Sequence, residues 1–282
     1  MNCKTLTHED VLRILPDRDP WGHKGSFGKI LLLCGSRGFT GAAYLAAMGA
    51  LRTGAGLTFL GVPENIYAIE AVKLNEPVVF PLPYQNGKLS RDAIPEILEK
   101  LSTMDAVLIG CGIGQSEDTY LVTKAVLENA TCPVVLDADG INVMATHKDV
   151  MRGRKAPTIL TPHDGEAARL AGPVEQDRIV YAKNLASDLG CILLLKGHRT
   201  VITDGQTVYV NQTGNPGMAV GGSGDVLAGM IVSLLGQGIE PLQATACGAW
   251  LHGAAGDICA KELGQYAMLP SDMLEALPRL LK

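Results

Sequence analysis

The chain has 282 residues, 47% of them hydrophobic and 5% aromatic, enough to bury one large α/β core or two small ones. Its net charge of −5, with no basic block, argues against duplex nucleic acid as a main partner, because neutralising phosphates takes clustered Lys and Arg. The seven cysteines (Cys3, Cys34, Cys111, Cys132, Cys191, Cys247 and Cys259) form no C-x-x-C, which points to a reducing compartment and away from zinc or disulfides. The N-terminus has no signal-peptide core, and no window reaches the ~18 apolar residues of a membrane span. The expectation is a cytoplasmic protein with no membrane association.

Residues 1–20 read as an arm with a short helix, Glu9 to Leu15. A strand follows over Ile30 to Cys34, and GSRGFTG turns from it into a helix over Ala42 to Arg52. That helix is rich in Ala and Gly, which suits close packing, with its first turn the place for a ligand. LTFLGVP predicts a strand, Glu64 to Lys73 a helix and PVVFPL another strand. Ser90 to Leu101 reads as a helix with Ser90 as N-cap. AVLIG runs into GCGIG as a buried parallel strand entering a loop. A helix over Asp118 to Glu128, the strand PVVLDAD and a short helix after Gly140 continue the alternation. TILTP and HDGEAARLAG add a strand and a helix, 175–189 a helix, and CILLLKG a strand ending at Lys196. RTVITDGQTVYV predicts the one obvious hairpin, turning on Asp204-Gly205. The remainder is helical over Val226 to Leu235, Leu242 to Leu263 and Ser271 to Leu281. This alternation predicts a three-layer α/β/α fold around a mostly parallel sheet, within a single domain spanning 1–282. Glycine turns at 35–41, 110–114 and 213–224 follow strand ends and are expected to converge on one cleft.

The stretch Thr213 to Met230, TGNPGMAVGGSGDVLAGM, holds six of the 33 glycines and then becomes an apolar helix. Val226, Leu227, Met230, Ile231, Leu234 and Leu235 share one face. Glycines let backbone N–H groups approach a ligand, and a helix N-terminus adds unpaired donors and partial positive charge. Gly222, Ser223 and Gly224 therefore suit an anion cradle, with Asp225 as a carboxylate that the helix dipole holds ionised. A plain turn capped by Asp225 is the competing reading.

GSFGKI at 25–30 leads into a strand rather than a helix, so it is not a P-loop, and neither GCGIG nor GSRGFTG has dinucleotide-fingerprint spacing. No H-E-x-x-H or G-x-S-x-G is present, and nothing nearby in the sequence identifies a histidine to activate Ser223. Lys196, Gly197, His198, Arg199 and Thr200 stand at a strand end, as a phosphate or ribose contact or as a solvated turn. His163 precedes a helix carrying Glu166, as a substrate contact or a helix-start residue. Asp137 and Asp139 end a strand, where they suit Mg²⁺ through water or ordinary capping.

GNPGMAVGGSGDVLAG, LTPHDGEAARL, LLLKGHRTVITDG, LDADGIN and HKGSFGKILLLCGS occur together and in register from about residue 20 onward. As a set they resemble the ADP- or ATP-dependent NAD(P)H-hydrate dehydratases of the ribokinase-like superfamily. The resemblance implies a repair lyase that returns the S epimer of hydrated NADH or NADPH to the working cofactor. It implies Asp225 as the base on the hydrate hydroxyl and Gly222 to Gly224 as the hole for the transferring phosphoryl group. Lys196 to Thr200 and Gly224 are implied as adenine-nucleotide contacts, and Ala42, Gly112, His163 and Asp225 as contacts to NADHX or NADPHX. Mg²⁺, a homotetramer and a separate epimerase partner are implied too; the chain is expected to carry no epimerase domain, and ADP is favoured over ATP. Two departures, Asp164 in place of the usual proline and DADGIN for the common DADALN, touch loop geometry rather than Asp225. A vitamin-precursor kinase of the same fold, and a nucleotide sensor without chemistry, are the alternatives.

Overall fold

Runs such as KILLL, AVLI and ILLL are apolar at successive positions, which suits strands covered on both faces. The computed structural model describes residues 3–281. Its strands are β1 (Lys29–Leu33), β2 (Leu57–Pro63), β3 (Val78–Leu82), β4 (Tyr84–Gln85), β5 (Lys88–Leu89), β6 (Ala106–Ile109), β7 (Val134–Leu136), β8 (Thr158–Leu160), β9 (Ile192–Leu195), β10 (Val201–Thr203) and β11 (Val208–Val210). The helices are α1 (His8–Ile14), α2 (Thr40–Arg52), α3 (Glu64–Lys73), α4 (Ile94–Leu101), α5 (Glu117–Asn129) and α6 (Asp139–Met144) in the first half. The second half adds α7 (Lys148–Arg152), α8 (Asp164–Ala171), α9 (Arg178–Leu189), α10 (Ser223–Gly236), α11 (Pro241–Leu263) and α12 (Pro270–Ala276).

One nine-stranded sheet runs β3-β2-β1-β6-β7-β8-β9-β10-β11. Every pairing from β3 to β9 is parallel, and β10 and β11 add an antiparallel edge. Alternation along β1 divides the core: Ile30 and Leu32 face one apolar cluster with α2, α10 and α11, while Leu31 and Leu33 face the other with α4, α5 and α9. The expected three layers are therefore present. The N-terminal arm joins the far edge, where Lys4 N–H donates to the Val208 carbonyl at 2.8 Å and its own carbonyl accepts from Val210.

The small residues of α2 serve packing as expected. A Cβ at Gly229 of α10 would collide with the Ala46 carbonyl of α2, and one at Gly49 would stand 2.6 Å from the Val226 carbonyl. Caps set several helix ends. Ser116 and Thr119 form a capping box for α5, and Glu240 caps α11, with Pro241 at its first position.

Several local readings differ from expectation, among them the helix expected over Ser271 to Leu281, which ends at Ala276 and passes into a 3₁₀ turn, Leu277–Arg279, at Pro278. Ser90 does cap, but it opens a 3₁₀ turn, Arg91–Ala93, before α4 begins. The strand expected through Asp139 stops at Leu136, because Ala138 takes φ +48° and Asp139 already starts α6. A second hairpin, β4–β5, turns on Asn86-Gly87 with both residues at positive φ. Asn-Gly is a strong signal for such a two-residue turn, but the strands here have only two residues each.

Candidate active site

β1 and β6 are neighbours, yet the chain leaves β1 toward β2 and leaves β6 toward β7, on opposite sides. The loops beyond their carboxyl ends part there and open a crevice, which is where open parallel sheets bind ligands. The loop after β1 and the loop after β6 are stitched together at its floor. Gly35 N–H donates to the Cys111 carbonyl at 2.8 Å, and the Ser36 hydroxyl donates to the Gly112 carbonyl at 2.7 Å. Ala42 and Gly112 meet here, since a Cβ at Gly112 would stand 2.8 Å from the Ala42 Cβ.

Asp137, just beyond β7 and only 2% exposed, is the hub of the crevice. Its Oδ1 accepts from Thr161 Oγ1 at 2.7 Å and from Lys196 Nζ at 2.8 Å, while Oδ2 accepts from the Cys111 thiol at 3.6 Å. Asp139 instead ties down the loop after β6, accepting from Gly114 N–H at 2.9 Å and Gln115 Nε2 at 3.0 Å. The strained Ala138 backbone between them separates these two tasks.

α10 brings its first turn to the same place. Gly222 is its N-cap at φ +97°, where a Cβ would also collide with Leu45. Ser223, Gly224 and Asp225 are helical rather than part of the loop. A Cβ on Gly224 would lie 3.4 Å from Lys196 Nζ, which places the lysine ammonium beside the helix end. Atoms of Asp225, Asp137 and Cys111 all lie within 4.8 Å of one another.

This proximity alters the acidities. Burial, then the Asp137 charge, pushes the Asp225 carboxyl up to about 6, against the pull of Cys111 and Lys196. The helix dipole considered from the sequence favours the anion; desolvation of the charged form acts the other way and leaves the carboxyl more basic than an ordinary Asp, though still mostly ionised at neutral pH. Burial alone would lower Lys196, but Asp137 and Glu166 outweigh it and hold its ammonium above the ordinary value. The adjoining Cys34 thiol, burial and the nearby carboxylates raise Cys111 well above its usual value, so it stays a thiol.

The remaining candidates divide. Lys196 turns inward, whereas His198 and Arg199 are exposed and Thr200 Oγ1 closes the turn on the Gly197 carbonyl at 2.9 Å. His163 caps α8: its Nδ1 accepts from Gly165 N–H at 3.0 Å, and its own N–H donates to Glu166 Oε2 at 2.9 Å. The buried Glu166 lies 3.8 Å from Lys196 Nζ, which links the His163 corner to the hub. Ser223 does have a histidine beside it. His252 of α11 puts Nε2 2.9 Å from the Ser223 carbonyl and 3.3 Å from Oγ. Burial lowers that imidazole to about 4, and its Nε2–H donates to the carbonyl, so it holds the helix start and does not activate a nucleophile. Nothing in the spacing of Ser223 and His252 marks this contact, and Cys111 reads in sequence only as a small buried hydrophobe.

A family model described as NAD(P)H-hydrate dehydratase matches residues 30–279. The chain belongs to the NAD(P)H-hydrate dehydratase family. It is 47% identical to the bifunctional NAD(P)H-hydrate repair enzyme Nnr of Moorella thermoacetica, an alignment covering 100% of this chain and 54% of that protein. The chain thus spans about half the length of such bifunctional relatives. With the ADP-dependent (S)-NAD(P)H-hydrate dehydratase of Bacillus subtilis it shares 38% identity, over 100% of this chain and 99% of that one. The crystal structure of the ADP/ATP-dependent NAD(P)H-hydrate dehydratase from Bacillus subtilis, co-crystallised with ATP/Mg²⁺, superposes with a TM-score of 0.85 at 33% identity, covering 99% of this chain and 98% of that one. The family match confirms the resemblance read from the motifs, and the mostly parallel sheet between helical layers is the ribokinase-like fold.

Proposed function

We propose that this protein dehydrates the S epimer of hydrated NADH or NADPH, with ADP as phosphoryl donor and AMP and phosphate released. The observation that carries the reading is Asp225: a half-buried carboxyl with a pKa of about 6, in the first turn of α10, beside Gly222 to Gly224. At neutral pH it is mostly ionised yet basic enough to take a proton from a bound hydroxyl, which suits general-base work. The hydrate oxygen then bonds to the terminal phosphorus of ADP as the bond to AMP breaks. The helix N-terminus and Lys196 stabilise the charge on the phosphoryl oxygens during transfer. Phosphate leaves with the electron pair of the carbon–oxygen bond, a proton departs from the adjacent carbon, and the double bond of the reduced nicotinamide returns.

Ala42, Gly112 and His163 border the hydrate, and the Lys196 to Thr200 turn with Gly224 borders the nucleotide. A hard cation is commonly held by one or two carboxylates with phosphate oxygens completing its shell. Asp137 fits Mg²⁺ on that basis, because its Oδ2 engages only a weak thiol donor while Oδ1 is taken by Thr161 and Lys196. Mg²⁺ bound there supplies neutralisation of phosphate charge. The protonated Cys111 is no ligand for it. The free cysteines fit a cytoplasmic setting, and the exposed Leu263, Tyr266 and Leu269 fit burial in a homotetramer. The bifunctional names of the longer relatives fit coupling to an epimerase.

The test is recovery of reduced-nicotinamide absorbance from the S hydrates with ADP or ATP. Recovery with ADP and stoichiometric AMP is expected. No recovery with either nucleotide refutes the reading, and a stable phosphorylated vitamin-like alcohol would return the kinase alternative.

A further inference from the structure

A second cavity adjoins the crevice, and the mechanism above makes no use of it. It has a volume of about 670 Å³ and lies between the 35–41 turn, the start of α3 and the β4–β5 hairpin. That volume is within the range of small-molecule sites. Arg37, Thr40, Asn65, Ile69, Tyr84 and Asn86 stand on its walls.

The hairpin holds Arg37 in place. Arg37 N–H donates to the Gly87 carbonyl at 2.8 Å, and its stem lies on Gly87, where a Cβ would stand 2.7 Å from the Arg37 Cβ. Its guanidinium has no hydrogen bond or ion pair among the described residues. A guanidinium presents a planar fork of donors matched to phosphate oxygens. Tyr84 is 45% exposed and Ile69 48%, so an aromatic and an aliphatic face are open, and Asn65 and Asn86 add amides. A flat base, edge amides and a cation together describe a site for a nucleoside phosphate. The 35–41 turn also joins the cavity to the Asp225 site: Phe39, between the wall residues Gly38 and Thr40, lies against Gly112, next to Cys111 of the Asp225 cluster.

We propose that this cavity receives the adenylate half of the dinucleotide substrate, with Tyr84 against the base and the Arg37 guanidinium on a phosphate of that half. The assignment rests on the dehydratase reading of the Asp225 site and adds to it the part of the substrate that undergoes no chemistry.

The experiment compares the wild type with Arg37→Ala on three substrates: the hydrates of NADH, of NADPH and of reduced nicotinamide mononucleotide, which lacks the adenylate. KM for the dinucleotide hydrates is expected to rise about tenfold, the scale of one lost charge-assisted hydrogen bond. The kcat, the KM for ADP and the kcat/KM for the mononucleotide hydrate are expected to stay at wild-type values. A rise confined to the NADPH hydrate assigns Arg37 to the 2′-phosphate; a rise for both assigns it to the pyrophosphate. Equal losses on mono- and dinucleotide hydrates, or no loss on any, overturn the proposal. Calorimetry with ADP-ribose and its 2′-phosphate, with the ADP site filled by a non-hydrolysable analogue, needs no turnover. Tenfold weaker binding to Arg37→Ala is expected, and no binding to the wild type, or equal binding to both proteins, overturns the cavity assignment. If the wild type dehydrates none of the hydrates, the dehydratase reading falls while this measurement still decides the cavity.

Discussion

Replacing Asp225 by Asn is expected to abolish turnover and to stabilise the fold at neutral and alkaline pH. The folded-state pKa of about 6 lies above the 3.8 of an unperturbed Asp, chiefly because burial penalises the anion. Between those two values the folded chain binds more protons than the unfolded one. Stability therefore falls as pH rises from about 4 to about 6 and stays reduced above that. The displacement corresponds to ~3 kcal/mol at most, since one pKa unit is about 1.4 kcal/mol. Asn carries no charge to desolvate and so escapes this cost. For a chain of this size ~2 kcal/mol recovered raises Tm by roughly 5 °C. Thermal unfolding of both proteins from pH 4 to pH 8 reads the effect directly, with the curves converging at pH 4 and the variant higher at pH 8. A variant equal to or below the wild type at pH 8 would refute the burial argument, whatever its activity.

Three further outcomes follow from the same contacts. The wild-type kcat/KM is expected to fall with a slope of one proton below about pH 6, as Asp225 protonates; a flat profile down to pH 5 counts against Asp225 as the base. Lys196→Met removes a cation that holds the Asp225 carboxyl down, so the acid limb moves to higher pH. A limb that stays in place or moves down contradicts the charge coupling. Gly229→Ala forces a methyl into the Ala46 carbonyl and is expected to cost ~2 kcal/mol or more by overpacking, measured as a lower denaturation midpoint in urea.

Much of the architecture is legible in the sequence. β2 and α3 have the bounds their patterns predict, because the seven-residue run ends at Pro63, which serves as N-cap of the helical stretch that follows. The expected strand through Asp139 ends where tertiary contacts take over: Gly110 lets the Asp137 carbonyl approach closer than any side chain would allow, and the chain turns at Ala138 into α6. The candidate site is legible only in pieces. GGSGD marks a helix start bearing a carboxylate, and KGHRT marks a cationic turn, but whether Lys196 faces the site or the solvent depends on Asp137, 59 residues away in the chain.

Sequence alone determines the alternation of strands and helices, the two-sided burial of the central strands and the glycine turn that opens α10, because each depends on neighbours a few residues apart. Its motif set also names the family. Only the tertiary structure decides that Cys111, Asp137, Lys196 and Asp225 come together, since they arrive from four separated segments, beyond β6, β7 and β9 and at the start of α10. The basicity of Asp225 belongs to the same level: it is set by the water excluded around the carboxyl and by the charge of Asp137, which exist only once those segments have met.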